Sequence, residues 1–274
     1  MFKKFMSLLI FASTLQIAIA QEKIPLKMYA LHCGNIDVRD LSLFSDIGDY
    51  DGKTANFANT CFLIAHPNGY LLWDTGLADS LIEKPETKGS FYLSKTVTIS
   101  QQLQEIGITP KDITYVAISH AHFDHTGGLE NFPHSTWIIN KYEIEHAKEN
   151  PESYFDFTKL SGWETVNKEI TTGDFDVFKD GTIKILKTPG HTPGHQVLQV
   201  NLPKTGIVII SGDAFHQRTS FEPLRIPVFN TNRAESIASA DRIKGILKNT
   251  GGRIIIMHDK NDIESLPAFP NYLE

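Results

Sequence analysis

Short apolar runs and period-two alternation of apolar and polar residues recur along the chain, and they predict a protein rich in β-strands. Single strands are predicted at residues 25–31, 113–118, 196–201, 207–210 and 253–257. Two further pairs of apolar runs flank the turn-forming dipeptides Asn68-Gly69 and Asp180-Gly181, so each pair is predicted to form a β-hairpin.

Three segments repeat their apolar residues at helical spacing instead, at residues 98–106, 141–149 and 233–249. The last of these is predicted to bury one side and to begin with a capping box of Asn232 and Glu235. Its buried side is predicted to consist of Ile237, Ala240, Ile243 and Leu247. Residues 35–59 are largely polar and acidic, which predicts a long surface loop. Strands that come mostly as hairpins, with helices between the groups, predict two packed sheets with helices outside.

The first twenty residues have the three parts of a secretory signal peptide. Lys3 and Lys4 form a basic start, residues 5–17 are mainly apolar, and Ala18-Ile19-Ala20 matches the small-x-small cleavage pattern. We expect cleavage before Gln21 and a mature chain that is exported, either to the periplasm or outside the cell. No cysteine stands immediately after the cleavage site, so no lipid anchor is expected, and no later apolar run has the length of a membrane-spanning helix.

Residues 21–274 are predicted to form one domain, because no linker, repeat or low-complexity run divides them. The formal net charge of −6 becomes −8 when the two lysines of the signal peptide are removed. An acidic chain without a basic patch argues against nucleic acid and against an anionic membrane as partners. Cys33 and Cys61 are the only cysteines. Export permits a disulfide between them, and two buried free thiols are an equal alternative.

The candidate chemistry centres on residues 119–128, Ser-His-Ala-His-Phe-Asp-His-Thr-Gly-Gly, which follow a predicted buried strand. His120 and His122 alternate along a tight loop and can point to one cation, while Asp124 and His125 face a second. Imidazole and carboxylate groups suit Zn²⁺ or a similar first-row metal. A solvated polar loop is the alternative, but His-x-His-x-Asp-His at a strand end favours a metal site.

Further ligand types stand where other strands or turns end, and such loops gather around one site. His191 lies in a rigid loop rich in Pro and Gly, Asp213 follows the strand at 207–210, and His258 closes the last strand. Asp74 also ends a strand, and it is either a turn former or a group that orients a ligand histidine.

In combination, these motifs resemble the metallo-β-lactamase superfamily over nearly the whole mature chain. The resemblance implies an α+β fold, an αββα sandwich of two mixed β-sheets with helices on the outer faces. It implies that a first metal is bound by His120, His122 and His191. It implies that a second is bound by Asp124, His125 and His258, with Asp213 bridging the two. Asp74 and His195 are expected to support these ligands from behind.

Within the superfamily the chain is most similar to the N-acyl homoserine lactonases. The similarity rests on Leu31-His32-Cys33-Gly34, Asp74-Thr75-Gly76-Leu77 and the doubled Thr-Pro-Gly-His motif at 188–195. It implies a quorum-quenching hydrolase with two Zn²⁺ ions and a small-molecule lactone as its partner, and it leaves a homodimer open. In the implied mechanism a metal-bridging hydroxide attacks the lactone carbonyl, and Asp124 relays a proton to the leaving alkoxide.

One position departs from the best-known lactonases, which have a tyrosine three residues after the bridging aspartate. Here that position is His216, which is either a catalytic substitute or a surface or packing histidine. Phe91-Tyr92 and Tyr154-Phe155-x-Phe157 are candidate walls for an acyl chain, with core packing as the alternative.

Two other functions fit parts of the pattern. An exported hydrolase of the same fold could act on organophosphates, β-lactams or other esters, because these enzymes share the ligands. The true metallo-β-lactamases have a cysteine where this chain has Asp213. A non-catalytic metal- or signal-binding protein is the second alternative, and the complete set of ligands argues against it.

Overall fold

The computed structural model describes residues 25–152, 154–155, 157–160 and 162–274. The predicted signal peptide lies outside these residues. The strands of the described chain are β1 (Lys27–Val38), β2 (Ala55–His66), β3 (Gly69–Trp73), β4 (Glu86–Lys88), β5 (Phe91–Ser94), β6 (Ile113–Ala117), β7 (Thr136–Asn140), β8 (Lys168–Thr171), β9 (Phe175–Asp176), β10 (Ile183–Lys187), β11 (Gln196–Leu202), β12 (Gly206–Ile210) and β13 (Arg253–Ile255). Its α-helices are α1 (Ile99–Glu105), α2 (Phe123–Thr126), α3 (Lys141–Glu149), α4 (Arg218–Phe221), α5 (Arg233–Thr250) and α6 (Lys260–Glu264).

The strands form two mixed sheets. The eight-stranded sheet has the order β4-β5-β1-β2-β3-β6-β7-β8, and the five-stranded sheet has the order β13-β12-β11-β10-β9. β3, β6, β7 and β8 run parallel to one another, as do β12 and β13, while the other pairs are antiparallel. Both predicted hairpins are present, as β2–β3 and β9–β10.

Strand β2 contains a continuous apolar run at residues 61–65, and its packing explains this run. Leu63 packs against the side of the sheet that is covered by α1 and α3, whereas Phe62 and Ile64 pack against the five-stranded sheet. Because both faces of the strand are buried, both sets of alternating side chains are apolar.

The five-stranded sheet is covered on its other face by α5, where Ala240 and Ile243 pack against Ile209 and Ile254. The layers are therefore helices, eight-stranded sheet, five-stranded sheet and helix. This arrangement confirms the predicted αββα sandwich.

The prediction for Ile237 on α5 is wrong, because this side chain is 40% exposed. The start of the helix is covered by the loop that contains Gly190, where an added Cβ would lie 2.3 Å from the backbone nitrogen of Ser236. The buried side of the helix begins at Ser239, two residues after Ile237, and continues through Ala240 and Ile243.

The predicted surface loop at 35–59 is also wrong at both ends. β1 extends to Val38 and β2 begins at Ala55, and Ile36 and Phe57 are buried between polar neighbours. Strands β4, β5, β7 and β8 were not predicted.

Cys33 and Cys61 form a disulfide that links β1 to β2. In the described part of the chain, no helix combines the length and hydropathy needed to cross a membrane.

Candidate metal centre

The predicted ligands lie together because the strands before them end at one edge of the sandwich. β6 of the eight-stranded sheet leads to His120 and His122, and the first turn of α2 carries Asp124 and His125. The five-stranded sheet brings the remaining three ligand candidates, which are His191 after β10, Asp213 after β12 and His258 after β13.

The first group of ligands consists of His120, His122, His191 and Asp213. Nε2 of His120 lies 2.8 Å from Nδ1 of His122, and Nε2 of His191 lies 3.2 Å and 3.0 Å from these two atoms. Oδ2 of Asp213 lies 3.3 Å from Nε2 of His191. Ligands at the corners of a tetrahedron with metal–nitrogen bonds of about 2.0–2.1 Å are roughly 3.3 Å apart, so these separations suit one first-row metal ion.

The second group consists of Asp124, His125 and His258. Nε2 of His125 and Nε2 of His258 are 3.3 Å apart, and each lies 3.6 Å from Oδ2 of Asp124. Oδ1 of Asp213 lies 3.2 Å and 3.0 Å from the same two nitrogens. One oxygen of Asp213 thus faces each group, which is the placement of a bridging carboxylate.

Hydrogen bonds behind the histidines show that the residues present fit a cation. Nδ1 of His258 donates to the carbonyl of Ala58 at 2.7 Å, and Nδ1 of His125 donates to Asp74 at 2.8 Å. With Nδ1 engaged in this way, the Nε2 atoms of the two rings face each other, and this arrangement requires a cation, either a proton or a metal ion, between them. Oδ1 of Asp213 is buried and has no hydrogen-bond partner within the described residues, as expected for a metal ligand.

Asp74 and His195 lie behind the ligands. Asp74 accepts from the backbone nitrogen of Ser119 at 2.7 Å, from its hydroxyl at 2.8 Å, and from His125. Nδ1 of His195 donates to the carbonyl of Thr188 at 2.9 Å, and its Nε2 accepts from the backbone nitrogen of Asp213 at 2.9 Å. The two residues therefore orient a ligand ring and the bridging carboxylate.

The tight turn at Asp74 needs the glycine that follows. Asp74 has a φ of 59° and Gly76 a φ of 67°, and a Cβ at Gly76 would lie 2.3 Å from Cβ of Cys33. Glycine is the residue that takes a positive φ without a steric cost. The Asp-Thr-Gly motif thus holds Asp74 against the disulfide-linked strands.

The electrostatics of the centre favour a cation. Burial lowers the pKa of both His120 and His122 well below the usual value. Burial acts in the same direction on His125, but the carboxylates of Asp213 and Asp124 raise its pKa well above the usual value. Burial opposes ionisation of Asp213, yet the surrounding histidines hold its pKa well below the usual range. The carboxylates that raise the pKa of His125 also attract a metal ion.

A cavity of about 530 Å³ leads to the centre, and aromatic side chains form much of its wall. Of the residues predicted for an acyl-chain wall, Phe91 and Tyr154 line it. Phe157 is in the core instead, and Phe155 packs against the core. Four aromatic residues that were not predicted also line the cavity, namely Phe44, Phe57, Phe123 and Phe229.

Those four residues are spread over separate segments. Phe44 and Phe57 lie in the stretch that was interpreted as a polar loop, and Phe123 stands inside the metal motif itself. Phe123 lies directly between the ligand candidates His122 and Asp124, and this location was the available sequence signal that it lies near the centre. Nothing local distinguishes Phe229 from other phenylalanines.

His216 is buried and lies beside the bridging carboxylate. Its Nε2 is 3.0 Å from Oδ2 of Asp213. Its ring stacks at 8° to that of His258, with centroids 5.8 Å apart, and it lines the cavity. The alternative of a surface histidine is therefore wrong.

A cluster of seven His and Asp side chains at the edge of an αββα sandwich defines a metal-dependent hydrolase. The sequence model of the metallo-beta-lactamase superfamily matches residues 55–248, and the chain belongs to this superfamily.

Three similar proteins are each named as an N-acyl homoserine lactonase or lactone hydrolase. The N-acyl homoserine lactonase AttM of Azorhizobium caulinodans is 26% identical over 265 residues, which cover 91% of this chain and 99% of that one. The N-acyl homoserine lactonase AiiA of Bacillus thuringiensis subsp. kurstaki is 29% identical, over 81% of this chain and 89% of its own. A crystal structure of an N-acyl homoserine lactone hydrolase, with the product N-hexanoyl-L-homoserine at its catalytic metal centre, matches with a TM-score of 0.79 and 28% identity, covering 92% of this chain and all of that chain.

Proposed function

We propose that the protein opens the lactone ring of N-acyl homoserine lactones and so quenches quorum-sensing signals. The observation that carries this proposal is an apolar, aromatic-walled cavity that ends at the bridging carboxylate of the metal centre. The names of the relatives and the product bound in the matching crystal structure support it.

The cavity suits an uncharged molecule with one polar end. Ile36, Leu43, Phe44 and Phe229 supply apolar surface for an acyl chain, while Asp124, Asp213 and His258 supply polar groups from the metal centre. In this proposal the lactone ring lies at the metal ligands and the acyl chain lies against the aromatic wall.

We propose that the centre holds two Zn²⁺ ions, bound by the two groups of ligands and bridged by Asp213. Two such ions would polarise the lactone carbonyl and bring a water molecule to nucleophilic strength near neutral pH. Metal analysis of the purified protein tests the number and kind of ions, with about two zinc per chain expected.

We propose that Asp124 moves a proton to the leaving oxygen of the ring. Its side chain lines the cavity, and its backbone carbonyl accepts from Nδ2 of Asn59 at 2.8 Å, which fixes the start of α2. A carboxylate beside the departing alkoxide can act as a general acid once it has taken the proton of the attacking water.

We propose that His216, whose Nε2–H donates to Oδ2 of Asp213 at 3.0 Å, turns this donor to the substrate carbonyl in place of the tyrosine of related lactonases. Removing one such donor costs roughly 10²-fold in kcat. We expect His216→Ala to show such a loss and His216→Tyr to recover much of it. Unchanged kcat and KM in His216→Ala would exclude this role.

The decisive experiment measures ring opening of acyl homoserine lactones of several chain lengths by the zinc-loaded protein. A p-nitrophenyl phosphotriester and a cephalosporin serve as comparison substrates, and His122→Ala serves as the blank. Lactone opening that the variant loses supports the proposal. Turnover of a comparison substrate without lactone opening would assign a different hydrolase activity to the same centre.

We also propose that the protein is exported after removal of residues 1–20. The disulfide between Cys33 and Cys61 supports this, because disulfides persist mainly in oxidising compartments. Fractionation of the producing cells, with determination of the N-terminal residue of the mature protein, tests it. Retention of the intact chain in the cytoplasm would contradict it.

A further inference from the structure

Glu143 is a buried carboxylate on α3 that belongs to neither group of metal ligands. Its Oε1 accepts a hydrogen bond from the backbone nitrogen of Ala121 at 2.7 Å. Its Oε2 accepts from the hydroxyl of Thr192 at 2.7 Å and from the backbone nitrogen of Gly194 at 3.0 Å. Charge-assisted bonds of this kind are about twice as strong as those between neutral groups.

The three donors come from the two loops that carry the first group of histidines. Ala121 stands between His120 and His122, and Thr192 directly follows His191. The second loop lies so close to α3 that a Cβ at Gly194 would be 2.7 Å from Cβ of Glu143. One buried side chain therefore connects all three histidines of the first group through the backbone beside them.

The second group of ligands has different supports. His125 is held by Asp74, His258 by the carbonyl of Ala58, and the backbone of Asp124 by Asn59. Each of these partners lies outside α3. A change at Glu143 therefore acts first on one of the two ligand groups.

We propose that Glu143 is a positioning residue that sets the affinity of the first metal site by fixing the distance between its two loops. Removing a residue that orients a metal ligand through hydrogen bonds typically lowers metal affinity by roughly 10–100-fold. The inference rests on the metal centre of the proposed function but not on its substrate.

The ionised carboxylate is required at this position. Each of its oxygens accepts from a backbone N–H group, one from Ala121 and one from Gly194. In Glu143→Gln the side-chain amide has nearly the same volume, but its NH₂ group must face one of these donors. The variant therefore breaks the connection at one loop without leaving a cavity.

The test is a titration of metal-free protein with Zn²⁺ in competition with a chromophoric chelator, which resolves two binding steps. We expect one step to weaken roughly 10–100-fold in Glu143→Gln while the other is unchanged. Thr192→Val removes one of the three donors and keeps the side-chain shape. It should weaken the same step by a smaller factor, and it decides the question if Glu143→Gln does not fold.

Ala147→Gly is the matched control, because it alters a buried residue of the same helix that is part of the core. It should lower thermal stability and leave both metal affinities unchanged. Wild-type affinities in Glu143→Gln, together with a loss of stability like that of the control, would overturn the inference. A wild-type protein that binds no zinc would overturn the metal centre and this inference with it, whereas normal metal binding without lactone opening would overturn only the proposed function.

Discussion

Individual side chains that never touch a metal decide the geometry of the centre. Asn230 shows this for His191, whose Nδ1 donates to Oδ1 of the asparagine at 2.9 Å. The amide group of Asn230 is itself oriented by donating to the hydroxyl of Ser236 at 2.9 Å. The ligand atom Nε2 is thereby left free and aimed at the first group.

The hydrogen bonds of His195 give a prediction for the dependence of stability on pH. Both ring nitrogens are engaged in the neutral form, and burial lowers its pKa from 6.5 to about 3. The unfolded chain, where the pKa is near 6.5, then binds the extra proton between these values. The stabilising contribution is complete above pH 6.5 and is lost as the pH falls through the range toward 3.

We therefore expect metal-free His195→Gln to lose less stability on acidification than the metal-free wild type. The difference in slope should approach about 1.4 kcal/mol per pH unit for one proton. Urea unfolding at several values between pH 5 and 6.5 measures it. Equal slopes for the two proteins would show that His195 takes up its proton without unfolding.

The gathering of the ligand candidates, with Asp74 and His195 behind them, could be predicted from sequence, whereas the partners Asn230 and Glu143 could not. His120 to His125 form a local motif after a strand, so their shared location follows from short-range structure. Asn230 and Glu143 become partners only when segments far apart in sequence pack together. His216 lies between these cases, since its position was predicted but its contacts with Asp213 and His258 were not.

Among the elements, those with a local signal were predicted well. The helices α1 and α3 have clear sequence patterns, and both hairpins follow from their turns. β4 and β8 are short strands at the edges of the eight-stranded sheet, and their residues are largely exposed. An exposed edge strand lacks the alternating apolar pattern on which such a prediction depends.

The corrected face of α5 gives a prediction with an internal control. Ile237 is 40% exposed, whereas Ile243 is completely buried. Ile237→Ala should change the free energy of unfolding by less than about 0.5 kcal/mol, and Ile243→Ala should lower it by roughly 2–5 kcal/mol. Urea denaturation of both variants measures this, and a similar loss at the two positions would contradict the packing of α5.

The disulfide between β1 and β2 is expected to stabilise the protein as a cross-link. Its cysteines are 28 positions apart, and closing a loop of that size in the unfolded chain is worth roughly 3–4 kcal/mol. Replacing both cysteines with alanine should therefore lower the free energy of unfolding by a few kcal/mol. Urea denaturation of the metal-free proteins measures this, and reduced wild type is the control. An unchanged midpoint in the double variant would show that the strands are held without the bond.

At the level of the whole molecule, metal ions should stabilise the packing of the two sheets, because both sheets contribute ligands. Binding to the native state alone adds about 4 kcal/mol per site when free metal exceeds its dissociation constant 1,000-fold. For a chain of this size, about 1 kcal/mol moves Tm by about 2–4 °C.

For the proposed centre of two zinc ions, removing the metal with a chelator should thus lower Tm by well over 10 °C, and added Zn²⁺ should restore it. Circular dichroism measures the transition. His122→Ala, with an incomplete first site, should show a smaller shift. If chelation of the metal-loaded protein left Tm unchanged, metal binding would not contribute to the stability of the whole molecule.

The distribution of ligands over both sheets also sets the order of events when the protein matures. The ligands extend from position 120 to position 258, and Asp213 reaches both groups from the sheet that forms later along the chain. The complete centre therefore exists only after the sandwich has closed, so metal cannot act as an early template for folding. The ions that the enzyme acquires come from the surroundings in which folding finishes, and the supply of metal there, rather than the selectivity of the ligands alone, determines which ions it carries.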